Sequence, residues 1–284
     1  MRAVLVTCGA GAGGQGGQEQ DASLVAYSLQ LPDTTTLSQE MAVVDVEALH
    51  AARKRVKAVL AATLRPEFLA AFEGAAPPSA AYTFSAAEVG RRRLRNTCLD
   101  YLSAGPPTPD NISRSTALYS AAVCMTERLA ALDSLLSKDC PERDAALAAF
   151  HSAARGDALV LNKWFALQAA ADAPALLSKV KALKAHPDFL LSNPNRARSL
   201  ISTFAANMPH FHARDGQGYA FVADSILELD KLNPQVASRL TTAFSQWRRY
   251  DAGRQALMRA QLERIGQAEG LSKDTFEIVA RSLK

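Results

Sequence analysis

Two stretches in the last third of the chain begin alike: NPNRARSLISTF at residues 193–204 and NPQVASRLTTAF at residues 233–244. Aligned at an offset of 40 residues, they share Asn, Pro, Ala, Leu and Phe at five of twelve positions. Asn is a favoured N-cap, and Pro suits the first helical position because its missing N–H has no helical partner there. A repeat of this length made of two helices is typical of an α-solenoid. The plainer interpretation is that Asn-Pro starts many unrelated helices, and both interpretations predict helical structure.

Beyond about residue 36 the chain shows one helical pattern after another. Helices are predicted over 46–64, 86–104, 112–136, 142–154, 157–171 and 174–185, with breaks at the Pro-containing stretches 75–78 and 105–109. Ser85 and Glu88 have the spacing of a capping box at the second of these helices. We therefore expect an all-α fold over residues 21–284, an α-solenoid-like superhelical array of antiparallel helix pairs.

The N-terminal 20 residues carry a different signal. Arg2 to Thr7 is apolar and β-prone, and Gly9, Gly11 and Gly14 match the G-x-G-x-x-G spacing of a dinucleotide-binding turn. That motif requires a helix after the third glycine and further strands, whereas here more glycines follow and no second strand pattern appears. Residues 1–20 are predicted to be a disordered, glycine-rich leader.

Charge, cysteine content and hydropathy indicate the compartment of the protein and whether a membrane partner is expected. The net charge is +4, and residues 190–260 account for it, with nine Lys/Arg against five Asp/Glu. Four scattered cysteines form no C-x-x-C pair and no signal peptide is evident, which favours a reducing compartment, the cytoplasm or an organelle. No stretch is long and apolar enough to predict a membrane span, so no membrane partner is expected.

Residue patterns for catalysis or metal binding are lacking. None of the five histidines is followed by Glu, and His210 and His212, two residues apart, do not share a helix face. The basic runs 52–57 and 90–95 are interleaved with helical apolar positions and lack aromatic neighbours, which favours solvated or ion-paired helix faces over a nucleic-acid surface. We expect no catalytic residue, metal ligand, cofactor or nucleic-acid partner in this chain.

The two Asn-Pro helices offer candidate binding residues. Gln235 and Arg239 are four residues apart and share a helix face, and Arg198 lies in the first turns of the matching helix. A helix N-terminus carries partial positive charge, so arginines nearby would form a recess suited to a carboxylate. The alternative is that these are ordinary surface residues.

Five stretches, taken in order, resemble the C-terminal helical domain of bacterial-type aminopeptidase N, the alanyl aminopeptidase of the zinc metallopeptidases. They are RRRLRNTCLDYL (91–102), LVLNKWFALQA (159–169), HPDFLLSNPNRARSL (186–200), FHARDGQGYAFV (211–222) and NPQVASRLTTAFSQWRRYDAGRQALMRAQLERI (233–265). The resemblance covers about residues 21–284, more weakly before 75, and the glycine-rich leader has no counterpart in it.

The resemblance implies a helical cap that closes the substrate chamber of an enzyme removing N-terminal residues from peptides. It also implies that Arg198, Gln235 and Arg239 face that chamber and bind the downstream part of the peptide substrate. The family's zinc belongs to a catalytic domain with the H-E-x-x-H motif, which this sequence lacks. The chain is therefore expected to be inactive alone.

Three origins remain open from the sequence: an incomplete gene product, a subunit that joins a catalytic aminopeptidase chain, or a relic. The rival function is a free-standing α-solenoid scaffold that binds a protein partner.

Overall fold

The computed structural model of the chain describes residues 1–3, 5, 21–77 and 81–284. These residues are helical with connecting turns and contain no β-strand, which confirms the predicted all-α class. Among them, no helix combines the length and apolar character needed to cross a bilayer.

Seventeen α-helices are described. In the first half they are α1 Ala22–Ser28, α2 Thr34–Gln39, α3 Val46–Thr63, α4 Arg65–Gly74, α5 Ala86–Leu102, α6 Pro109–Ala121, α7 Met125–Leu136 and α8 Pro141–Ala153. The second half contains α9 Ala158–Ala170, α10 Leu176–Lys184, α11 Pro194–Ala197, α12 Thr203–Ala206, α13 Met208–Phe211, α14 Gln217–Asp230, α15 Pro234–Thr241, α16 Ala252–Gly266 and α17 Lys273–Leu283. A π-helical segment, Arg198–Ser202, joins α11 to α12, and 3-10 turns cover Thr242–Phe244 and Trp247–Arg249.

The chain divides into two compact units. The first contains Met1–Asp33 and Ala51–Phe150, and the second contains Thr34–His50 and His151–Lys284. In the first unit α5 packs against α1, α4 and α7. Phe68 and Tyr101 stack in its core with ring centroids 4.3 Å apart, and the Tyr101 hydroxyl donates to the carbonyl of Leu29 at 2.5 Å.

Part of the predicted leader belongs to this core. Arg2, Ala3 and Leu5 are helical, the Leu5 N–H donates to the Met1 carbonyl at 3.0 Å, and the Leu5 side chain is buried. At these three residues burial of Leu5 against the helices outweighs the local β propensity and stabilises helical geometry. The rest of the predicted leader, including Gly9, Gly11 and Gly14, lies outside the described residues.

The second unit is built around aromatic side chains from α12, α13, α14 and the first 3-10 turn. Phe204, Phe211, Tyr219 and Phe244 are all buried, and α14 to α17 pack against one another beside them. Residues 34–50 join this unit through long-range bonds: the Val44 N–H donates to the Arg249 carbonyl at 2.8 Å. No local sequence pattern indicates that pairing, because its partners are some 200 residues apart.

The helices predicted over 46–64, 86–104, 142–154, 157–171 and 174–185 are present with boundaries within two residues, but two predicted helical stretches are interrupted, 193–204 by the π-helical segment and 112–136 by a break. The predicted helix over 112–136 is two helices, α6 and α7, because Ala122 adopts an extended conformation with ψ 119°. The carbonyl of Ala122 accepts a hydrogen bond from the Arg128 side chain at 3.1 Å, which replaces the helical partner it would otherwise have had.

The capping box at α5 is half formed. Ser85 Oγ accepts from the Glu88 N–H at 3.2 Å, as predicted. The Glu88 carboxylate instead accepts from Arg91 and Arg92, because charge-assisted bonds are stronger than a bond to a neutral amide. With Lys57 paired to Asp100, the basic runs are partly ion-paired, as expected.

Candidate functional site

Arg198 lies where the first Asn-Pro helix changes its geometry. Asn193 caps α11 as predicted, since its Oδ1 accepts from the N–H groups of Asn195 at 3.0 Å and Arg196 at 3.2 Å. The α-helical pattern then gives way to the π-helical segment that begins at Arg198. The Arg198 side chain is exposed, and its one hydrogen bond is a long 3.5 Å contact with Asn195 Oδ1.

The π-helical segment is fixed from its buried side. Leu200 and Ile201 have no exposed surface, and the segment packs against α9. The carbonyl of Arg198 accepts from the backbone N–H of Thr203, five residues on, and also from Thr203 Oγ1 at 3.4 Å. Single π-helical turns are frequent at functional sites because they redirect side chains without ending the helix. Arg198 is therefore held on the outside of a well-anchored segment.

Gln235 and Arg239 lie on one exposed face of α15. Asn233 Oδ1 caps this helix by accepting from the Val236 N–H at 3.2 Å. The opposite face, with Val236, Ala237 and Leu240, is buried against α14 and α17. The spacing of four residues thus brings the two polar side chains to the same surface, as predicted.

These two side chains have no protein partner among the described residues. Neither Gln235 nor Arg239 makes a side-chain hydrogen bond or an ion pair there, and Arg198 has no carboxylate partner. Many other arginines of the chain, such as Arg254 between Glu47 and Asp251, are paired with acids. The three predicted residues therefore present hydrogen-bond donors to solvent.

The expected contribution of the helix N-termini is reduced. The Asn193 and Asn233 side chains already occupy first-turn amides of α11 and α15, and Arg239 lies in the last turn of its helix. Binding of an anion here would depend on the guanidinium groups rather than on free backbone amides. Cavities of about 630 and 600 Å³ occur in the first unit and are lined by other residues. The chamber-facing orientation of the three residues stays a prediction.

The histidines of the second unit contact aspartate and tyrosine side chains. His210 and His212 turn to different partners, since His210 Nε2 is 3.4 Å from Asp172 Oδ1 and His212 Nδ1 is 2.8 Å from the Tyr219 hydroxyl. A different group, His151, His186 and Asp188, has ligand atoms that all lie within 4.8 Å of one another. In the sequence, only His186 and Asp188 are close together, in the triplet His-Pro-Asp at 186–188, and no local pattern links them to His151.

The zinc of the resembling family does not fit the residues of this chain. That centre needs His-Glu-x-x-His, and no histidine here precedes a glutamate. No hydrolytic step is therefore assigned to these side chains.

Comparison with known proteins places the chain in a family. The family described as "Domain of unknown function (DUF3458_C) ARM repeats" matches residues 15–284. Aminopeptidase N of Caulobacter vibrioides is 39% identical over 297 aligned residues, which cover 99% of this chain and 34% of that protein. Aminopeptidase N of Escherichia coli is 37% identical over 264 residues, which cover 93% of this chain and 30% of that protein.

A solved structure agrees with these relatives. The crystal structure of Legionella pneumophila aminopeptidase A in complex with aspartic acid matches with a TM-score of 0.85 at 30% identity, covering 99% of this chain and 33% of that chain. The chain spans about a third of the length of each of these proteins. It therefore belongs to the family of DUF3458_C ARM-repeat domains and is similar to the helical C-terminal domain of aminopeptidase N.

Proposed function

We propose that this chain acts as the helical cap of an aminopeptidase N-like zinc metallopeptidase, which removes N-terminal residues from peptides. The cap closes the substrate chamber and contacts the peptide downstream of the cleaved bond. Support comes from the family match over residues 15–284 and from 37–39% identity to two aminopeptidases N.

The catalytic part of the enzyme lies outside this sequence in the proposal. The chain spans about a third of its relatives and lacks the H-E-x-x-H motif, so zinc and the general base come from a catalytic domain or chain that binds the cap. That partner activates the water, and the cap supplies positioning only.

Arg198, Gln235 and Arg239 are the proposed peptide contacts. An arginine donates to a carboxylate or a peptide carbonyl through charge-assisted hydrogen bonds, and a glutamine can both donate to and accept from a peptide unit. The observation that supports this assignment is that all three side chains are exposed while residues next to them in sequence are buried. None of the three forms an ion pair with an acidic residue of the described chain. Polar groups held in this way can bind a ligand without first breaking an internal ion pair.

The test is reconstitution. The pure chain is mixed with a catalytic fragment of the Caulobacter vibrioides aminopeptidase N that lacks its helical domain, and the mixture is examined by gel filtration and by hydrolysis of an alanyl anilide. We expect co-elution, increased turnover by the mixture and no hydrolysis by the chain alone. Zinc-dependent hydrolysis by the chain alone, or separate elution with unchanged turnover, would contradict the proposal.

A free-standing scaffold is the second candidate, and the ARM-repeat description of the family favours it, because such repeats often present a protein-binding surface. The same gel filtration separates the two functions. A scaffold elutes apart from the catalytic fragment and leaves its turnover unchanged.

A further inference from the structure

Two histidines and an aspartate in the second unit form a compact polar group. His151 lies in the last turn of α8, and His186 and Asp188 lie in the turn that follows α10. His151 Nε2 is 2.7 Å from Asp188 Oδ2, and His186 Nδ1 is 3.8 Å from the same oxygen. Two segments 35 residues apart in sequence thus bring two imidazoles to one carboxylate oxygen.

The surroundings hold these side chains in place. The His151 ring lies 4.5 Å from the Trp164 ring and 5.3 Å from the His186 ring, edge to face with the latter. The buried Arg196 side chain donates to the backbone carbonyl of Asp188, which fixes the turn. Ligands that are already ordered lose little entropy when an ion binds.

Access from solvent remains open. The Asp188 side chain is 42% exposed, whereas the His151 side chain is 17% exposed. An ion can therefore reach the group without opening the core, while Trp164 and Phe165 cover its other side.

The spacing of the donor atoms suits a small divalent cation. Zn²⁺ lies about 2.0–2.2 Å from imidazole nitrogen and carboxylate oxygen, so tetrahedral ligands are about 3.3–3.5 Å apart. The observed 2.7 and 3.8 Å bracket that separation. The ligand atoms of His151 and His186 lie within 4.8 Å of each other, so side-chain shifts of about 1 Å bring all three atoms into range.

We propose that His151, His186 and Asp188 bind one Zn²⁺-type cation, with water in the open coordination position. Two imidazoles and a carboxylate favour zinc and neighbouring transition metals over Mg²⁺ or Ca²⁺. On His186 Nδ1 the ion replaces the hydrogen bond that this atom now accepts from the Asp188 N–H at 3.1 Å. The nearby Arg196 charge opposes the ion, so the site is weaker than a three-histidine centre.

This site differs from the zinc centre of the resembling enzymes. It has no glutamate next to either histidine to act as a general base, and it joins the end of α8 to the turn that leads to Asn193 and Arg198. In this proposal the ion holds that turn against the end of α8 through three protein ligands, and water completes its coordination.

The test is calorimetric titration of the whole chain with ZnCl₂ in a buffer that does not bind metals. We expect one ion per chain, and an affinity at least tenfold lower in Asp188→Asn and in His186→Gln. His50→Gln is the matched control, because His50 also faces an aspartate, Asp172 at 3.3 Å, outside this group. Its affinity should equal that of the wild type.

A second measurement, of tryptophan fluorescence, uses the wild-type chain and needs no variant. Ni²⁺ in this site should quench the fluorescence of the adjacent Trp164, and Zn²⁺ should displace it and restore the signal. Circular dichroism verifies that each variant is folded. Absence of Zn²⁺ binding by the wild type, unchanged affinity in folded Asp188→Asn and His186→Gln, or loss of binding in His50→Gln would each overturn the proposal.

Discussion

The two Asn-Pro segments begin in the same way and then diverge. In both, Asn caps the helix, Pro follows, and a phenylalanine twelve residues into the segment is completely buried, Phe204 in one and Phe244 in the other. After the first turn one segment widens into a π-helix, whereas the other continues to Thr241 and tightens into a 3-10 turn.

The five shared residue types are those that hold each segment in place. Besides the cap and the phenylalanine, Ala197 and Ala237 are buried, as are Leu200 and Leu240. The exposed positions differ, and the proposed contacts Arg198 and Arg239 are not equivalent in the alignment. The weak internal repeat therefore consists of the residues that pack each segment, whereas the proposed contacts are not part of it.

The largest expected effect tests whether the two phenylalanines are equivalent anchors. Phe204 packs edge-on against Phe221 at 5.6 Å, and Phe244 against Phe211 at 5.7 Å. Replacing either with Ala should lower the free energy of unfolding by about 3–5 kcal/mol, because each change leaves a cavity. Urea denaturation measures this, and Phe276→Ala, at a side chain 53% exposed, is the control, with an expected change within about 0.5 kcal/mol. A loss below about 1 kcal/mol for one phenylalanine alone would break the equivalence.

The next effect concerns His212, whose ring contacts Phe211, the aromatic neighbour of Phe244. Burial, with a further contribution from the Arg254 guanidinium, lowers the pKa of His212 to about 3, and its Nδ1 bonds to the Tyr219 hydroxyl. The pKa of this histidine in the unfolded chain is about 6.5, so below that pH the unfolded state binds a proton that the folded state does not. The free energy of unfolding is therefore highest above about pH 6.5 and decreases as the pH falls toward 3. Between pH 7.5 and pH 4.5 the loss should be about 2–3 kcal/mol.

His212→Gln checks the source of that loss, because Gln keeps an acceptor for Tyr219 and does not titrate. The difference in unfolding free energy between wild type and variant should shrink by about 2–3 kcal/mol from pH 7.5 to pH 4.5. A difference that does not change with pH would show that His212 is not the titrating group.

The smallest effect sharpens the comparison of the two caps. Asn193 accepts two first-turn N–H groups and Asn233 accepts one, so Asn193→Ala should cost slightly more than Asn233→Ala, each about 1 kcal/mol. Thermal unfolding measures both, and Asn→Ser at each site should recover most of the stability. A larger loss at Asn233 would mean that the caps do not act through these bonds.

Local sequence signals predicted the helical class, the Asn caps and the common exposed face of Gln235 and Arg239. They did not predict the π-helical segment, because the sequence of 198–202 contains no breaker and its geometry follows from packing of Leu200 and Ile201 on α9. The assignment of residues 34–50 to the second unit depends on bonds such as Arg249 to the carbonyl of Ser38 at 2.6 Å, which only the folded chain reveals. The contact between His151 and Asp188 likewise joins residues far apart in sequence, and only the folded chain reveals it.

The most direct test of the account is the affinity of the chain for a fluorescent tetrapeptide, measured by anisotropy with a free C-terminal carboxylate and with an amide. Wild type should bind the carboxylate form more tightly, and Arg198→Met and Arg239→Met should each weaken that form about tenfold, which is about 1.4 kcal/mol, with little effect on the amide. Arg155→Met, at another exposed arginine of the second unit, should change neither affinity. Equal binding of both peptides by all four proteins, or no binding by the wild type, would contradict the claim that these arginines hold the downstream end of a peptide.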